Sequence, residues 1–134
     1  MIRLKYVEMN PTKLVFLETW QEEVDKKATH SERKAEAGRL WPGKRDATCF
    51  KEIVVTTLDE MVKPNRRCMF CEDNAAYQVE HFWPRAMFPQ LTFNWLNFLY
   101  ACGQCNGRKS ARFANLSPTG TLELLMNDGQ VHRC

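Results

Sequence analysis

The sequence predicts an α+β chain, with helices first and then a small module of short strands and one helix held together through its cysteines. Two observations carry that prediction. Up to about residue 62, apolar residues recur at three- and four-residue steps, the period of a helix with one buried face. Beyond it the apolar runs are short, rich in aromatic and β-branched residues, and framed by two Cys-x-x-Cys pairs, Cys68/Cys71 and Cys102/Cys105. A chain of 134 residues is one domain or a small module with an appendage. The boundaries expected are a helical region over 1–65, the cysteine-bearing module over 66–115 and a tail over 116–134.

Asn10-Pro11 is a helix start, an N-cap followed by proline at the first helical position, and Leu14, Leu17, Val24 and Ala28 follow at helical spacing. A first helix of roughly 25 residues is expected by this pattern. Its charged, alanine-rich second half, with His30 upon it, reads as solvent-facing, and the Pro and Gly of WPGKR at 41–45 should stop it. Phe50, Ile53, Val54, Thr57, Leu58, Met61 and Val62 form one apolar stripe and predict a helix over 47–62, ended by Lys63-Pro64. The β-branched IVVTT run is compatible with a strand, but its period is nearer 3.6 than 2.

After the first Cys-x-x-Cys comes a turn at Glu72-Asp73-Asn74 and a short hairpin whose strand runs through Val79, Glu80, His81 and Phe82 to Pro84. Asn97 to Ala101 reads as a strand entering the second Cys-x-x-Cys. NGRKSARFA is helix-compatible until Ser117-Pro118-Thr119-Gly120. Leu122 to Met126 and Gln130 to His132, around Asn127-Asp128-Gly129, form a weak hairpin. The chain stops soon after it, at His132-Arg133-Cys134, as a truncated gene product would. Cys49 reads as a core thiol and Cys134 as a tail thiol. Trp83, Phe88, Phe93, Trp95, Phe98 and Tyr100 read as packing around the cysteine module rather than as base-stacking groups.

Composition is that of an ordinary water-soluble chain, 44% hydrophobic and 26% charged. No apolar run approaches the roughly 18 residues that span a bilayer, and the N-terminus lacks the pattern of a secretory signal, so a cytoplasmic location is expected. The net charge of +3 is unevenly spread. Residues 1–63 carry 12 basic and 11 acidic side chains, whereas Arg66, Arg67, Arg85, Arg108, Lys109 and Arg112 face only Glu72, Asp73 and Glu80. The excess surrounds the cysteines, which suits a surface for phosphate.

In a chain read as cytoplasmic, two Cys-x-x-Cys pairs are metal ligands rather than disulfides. Four soft thiolates make up a closed, tetrahedral structural Zn²⁺ site with no open position for water. Such a staple would bring what lies between the pairs to one place, notably the Glu80-His81 dipeptide and Asn106 of CNGRK. A carboxylate and an amide oxygen are hard donors suited to Mg²⁺ or Mn²⁺. A neutral imidazole on the opposite side of the strand from Glu80 is a suitable base for water.

The pattern formed by Cys68, Cys71, Glu80-His81, Pro84, Asn97, Cys102, Cys105, Asn106 and Lys109 resembles the HNH (ββα-metal) endonucleases. More narrowly, VEHFWPRA and FNWLNFLYACGQCNGRK are similar to the HNH proteins of retron and Septu-type anti-phage systems. The resemblance covers about residues 66–113. It implies a hairpin and helix around one catalytic divalent ion that cleaves phosphodiester bonds in DNA, with RNA left open. By that resemblance His81 is the general base, Glu80 and Asn106 are ligands of the catalytic ion, and Asn97 orients the histidine, with Asn94 as a rival. Arg85, Arg108, Lys109 and Arg112 would then neutralise phosphate, and a defence-system ATPase would be a partner. Glu80 stands where Asp is commoner, and Asn106 where a second histidine is often found. The competing expectation is a zinc-knuckle module that binds nucleic acid or docks a protein without catalysis.

Overall fold

A computed structural model describes residues 6–125 and 131–133 of the chain. It is an α+β fold with N-terminal helices and a C-terminal half built around the cysteines. Helix α1 runs Pro11–Asp25, with the Asn10 side chain accepting the Thr12 N–H at 2.9 Å and Pro11 occupying the first turn. It buries Leu17, Trp20 and Val24.

The long first helix expected from the sequence is two helices. Helix α2, His30–Asp46, starts afresh at Thr29, whose hydroxyl accepts the Glu32 N–H at 3.2 Å while the Glu32 carboxylate accepts the Thr29 N–H at 3.0 Å. This reciprocal capping box satisfies donors that a continuous helix would have used internally. The expected stop at WPGKR also fails, because α2 runs through Pro42 to Asp46. The physical reason is tertiary. Leu40 and Trp41 are buried, and Trp41 lies 5.5 Å from Phe50, 5.9 Å from Phe93 and 5.9 Å from Phe98 by ring centroids. Packing of that size outweighs the cost of one missing helical hydrogen bond.

The helix predicted over 47–62 is present as α3, Thr48–Phe50, a π-helical turn, Lys51–Val55, and α4, Thr56–Val62. At the wide turn the Thr56 N–H and Thr56 hydroxyl both reach the Lys51 carbonyl, and the Thr57 hydroxyl donates to Ile53 O at 2.6 Å. Hydroxyls that bond back onto the preceding turn loosen it without ending the helix. Phe50, Ile53, Val54, Leu58 and Val62 are buried, as their spacing required.

Strand β1, Gln78–His81, pairs antiparallel with β2, Phe98–Ala101, in the register Gln78↔Ala101 to His81↔Phe98. The partner of β1 is therefore the next strand in the chain, the one leading into the second cysteine pair, reached across the 82–97 segment. Helix α5, Gly103–Lys109, follows at once and is shorter than NGRKSARFA suggested, ending at Ser110 with a φ of 45°. Strands β3, Phe113–Leu116, β4, Leu122–Leu125, and β5, Val131–Arg133, form a second antiparallel sheet in the order β3-β4-β5. The pairing of β4 with β5 fits the weak hairpin read near the C-terminus, whose turn at 127–129 lies outside the described residues, as does Cys134.

One hydrophobic cluster runs from Met9 through the helices into Phe98 and Tyr100 on β2. Phe93, Trp95, Phe98 and Tyr100 are buried in it, the packing role expected of them. A second, smaller cluster consists of Cys68, Ala101 and Cys102, with Phe70 and Cys105 against it. No helix among the described residues is long and apolar enough to cross a membrane.

Candidate metal centre and its surroundings

The first knuckle is anchored to β2 by a main-chain bond, Met69 N–H to Tyr100 O at 3.0 Å, and the residue that leads from it into β1 by another, Tyr77 N–H to Ala101 O at 3.1 Å. The second opens α5, where Cys102 is the N-cap and its sulfur accepts the Cys105 N–H at 3.4 Å. The Cys68 sulfur likewise accepts the Phe70 N–H at 3.4 Å, so each knuckle turns backbone donors toward sulfur. These elements bring the Sγ atoms of Cys68, Cys71, Cys102 and Cys105 within 4.8 Å of one another, with Cys71 and Cys102 at 3.9 Å. Four sulfurs about 2.3 Å from a tetrahedral Zn²⁺ would stand roughly 3.8 Å apart, so the donor set and spacing fit a structural zinc ion.

The electrostatics fit as well. Hydrogen bonding by the Asn74 and Asp73 main chain lowers the Cys71 thiol to about 6. Burial and then the neighbouring sulfurs push Cys105 up to about 12. The cluster thus accepts a first negative charge readily and resists the last, which a bound dication would offset.

The residues expected to form a second, catalytic metal site have other partners. Glu80 and His81 alternate across β1, as a strand requires, but both are buried. The Glu80 carboxylate accepts from Lys109 Nζ at 2.7 Å, and Lys109 also donates to the His81 carbonyl at 2.6 Å. Burial raises the Glu80 carboxyl above its ordinary range, and the Lys109 ammonium opposes the rise. Asn106 turns its amide to Gln78, Nδ2 to Oε1 at 2.8 Å. The His81 ring lies under Trp41, centroids 4.4 Å apart, with Nε2 at 2.9 Å from Thr92 O. Burial pushes its pKa down to about 4, so it is neutral at pH 7.

Asn97 is buried and serves the loop rather than the imidazole. Its Nδ2 donates to Trp83 O and Leu91 O, both at 3.0 Å, and its Oδ1 accepts the Trp83 N–H at 2.7 Å. Asn94 is exposed and caps a short turn through the Leu96 N–H. Of the four basic residues expected to meet phosphate, Lys109 is committed to Glu80. Arg85 donates to Ala37 O at 3.3 Å and lies over the Trp41 ring at 5.9 Å. Arg108 and Arg112 are exposed.

The group of metal-binding side chains assembled among the described residues is thus the four cysteines, an all-sulfur cluster with every position filled by protein. That overturns the expectation of a hydrolytic endonuclease, and with it a catalytic Mg²⁺ or Mn²⁺. An active centre of that kind is built on histidine with an open coordination position, whereas this one is the closed set of a zinc-binding module. Sequence reasoning found the cysteines by spacing. It missed Lys109 as the partner of Glu80 and Trp41 as the cover of His81, contacts that carry no local signal.

The chain resembles a Septu protein. Septu protein PtuB of Bacillus thuringiensis is 36% identical to it over a match covering 40% of this chain and 23% of that protein. The chain therefore spans about a quarter of the length of that relative, a distant and partial relationship to a Septu-system protein. No family model matches the sequence, and no solved structure matches it.

Proposed function

We propose that this chain is a non-catalytic, zinc-stapled module that binds nucleic acid. The observation that carries the reading is the convergence of Cys68, Cys71, Cys102 and Cys105 in a closed sulfur cluster. Zinc held there supplies no reactive water; it fixes β2 and α5 against the first knuckle and so sets where the module's surface charges stand. In this reading residues 66–115 are the zinc-bearing ββα unit, 1–65 its helical platform and 116–134 a C-terminal tail. Arg108 and Arg112, exposed at the end of α5 and just beyond, neutralise phosphate, while Lys109 and Arg85 tie the unit together internally.

The test measures metal and binding together. The purified chain is expected to carry about one zinc per molecule, to retain labelled oligonucleotides in a salt-dependent manner, and to lose them on chelation. Plasmid incubated with it under Mg²⁺ or Mn²⁺ should stay intact. Zinc-free protein that binds equally well, or cleaved plasmid, refutes the proposal.

A second reading, protein docking, is favoured by a different observation. A groove of about 360 Å³ between the start of α1 and the 93–96 segment is lined by Tyr6, Leu14, Trp95 and Leu96, among others. Tyr6 and Leu96 are exposed, and Trp95 Nε1 is buried with no hydrogen-bond partner among the described residues. The relationship to a Septu-system protein suits an assembly with other components of a defence system. Co-purification with such a component, lost on Leu96→Asp, would select this reading.

A further inference from the structure

A cleft of about 540 Å³ lies where the end of α2 and the π-helical turn face β1 and α5. Its size is that of a site for a small ligand or one unit of a polymer. Val55 and Val79 give it apolar wall, Gln78 and Asn106 amide groups, and Arg45 and Lys51 charge. Tyr77 stands at its side with 63% of its surface exposed, so one face of the ring is open to a ligand.

The ring is not loose. Its backbone is fixed by the bond to Ala101, and its hydroxyl end rests on Gly103, where the Cβ of any larger residue would come within 2.3 Å of Oη. Gly103 thus leaves room that any other residue would take from Tyr77. Beside it, Asn106 Nδ2 donates to Gln78 Oε1 at 2.8 Å. That pairing leaves Gln78 Nε2 as a donor and Asn106 Oδ1 as an acceptor at the cleft. At the rim Arg45 bonds Asp46 at 3.0 Å, and the same carboxylate feels Lys51. Two cations share one anion, so the rim is net positive.

An apolar slot flanked by an exposed ring, an amide pair and a cationic rim has the chemistry of a nucleotide of an unpaired strand. A base stacks on the ring and offers polar edges to the amides, while its phosphate meets the charge. Base pairing in a duplex would hide both the face and the edge. We infer that this cleft is a subsite for single-stranded nucleic acid, in which Tyr77 stacks a base, Gln78 and Asn106 contact its edge, and Arg45 and Lys51 meet the adjoining phosphate. The inference rests on the nucleic-acid reading above and adds to it the strand form and the place.

Fluorescence anisotropy on the full, zinc-loaded chain tests it, with labelled oligothymidine, oligoadenosine, a duplex of equal length, and adenosine monophosphate as a free nucleotide. The single strands are expected to bind more tightly than the duplex. Tyr77→Ala should weaken the single strands by about tenfold, and Tyr77→Trp, which keeps a stacking face, should not. Lys51→Gln should reduce the slope of log affinity against log salt by roughly 0.7, the value for one phosphate of a single strand. Lys27→Gln, in the α1–α2 connection, should change nothing. Zinc content and thermal midpoint equal to the parent's establish that each variant is folded. If the parent chain binds no nucleic acid, the functional reading falls and this one with it. If it binds but Tyr77→Ala and Lys51→Gln match the parent while Arg108→Ala and Arg112→Ala weaken it, the functional reading stands and the cleft is refuted. Monophosphate binding as tight as the strand's would make it a free-nucleotide site and equally overturn the inference.

Discussion

His81 sits with Nε2 against the Thr92 carbonyl, its ring beneath Trp41 and the charges of Arg85 and Lys109 nearby. Burial, then those cations, hold its pKa at about 4, below the ordinary 6.5. A depressed folded-state pKa means that the unfolded chain binds the proton more readily, so stability is complete above about pH 6.5 and is lost as pH falls toward 4. From pH 7.5 to pH 5 the loss from this one group is about 2 kcal/mol. Urea unfolding of zinc-saturated protein at several pH values, beside His81→Gln, measures it. The parent should show the steeper decline, and equal slopes would mean that the imidazole is not shielded. The residue type and the strand alternation at 80–81 were legible in the sequence. The environment was not, because Lys109 lies 29 positions from Glu80 and Trp41 farther still from His81, and nothing local marks either contact.

At the level of elements, the helix starting at Asn10-Pro11 and the apolar stripe ending at Val62 were readable because cap chemistry and periodicity are local. The break before His30 was also written in the chain, as Thr29-His30-Ser31-Glu32, but good helix formers on both sides masked it. Thr29→Ala should lower stability by about 1 kcal/mol through loss of that cap, read as a shift in the urea midpoint without a change in slope. An unchanged midpoint would show that α1 and α2 hold their angle by packing alone. Passage of α2 through Pro42 could not be read locally. It depends on Trp41 reaching Phe50, Phe93 and Phe98, which are distant in sequence and supplied by three other segments.

Over the whole molecule, the four cysteines were the most legible feature, since the two short spacings imply one ion whatever lies between them. Their consequence is broader than the sequence suggested, because β2 carries both the residues that precede Cys102 and side chains of the main core. Chelation is therefore expected to do more than loosen the knuckles. Far-ultraviolet circular dichroism during titration with a strong chelator should show loss of helical signal along with zinc, and addition of zinc should restore it. Retention of full helicity in metal-free protein would show that 1–65 folds without the staple.

The run of side chains from Met9 to Tyr100 as a single cluster, ending one residue short of Ala101 beside Cys102, has a thermodynamic corollary. An ion that binds only the native chain sets the population of every segment that shares its cooperative unit. Each tenfold rise in free zinc above the dissociation constant should then add about 1.4 kcal/mol to the unfolding free energy of helices that hold no cysteine ligand.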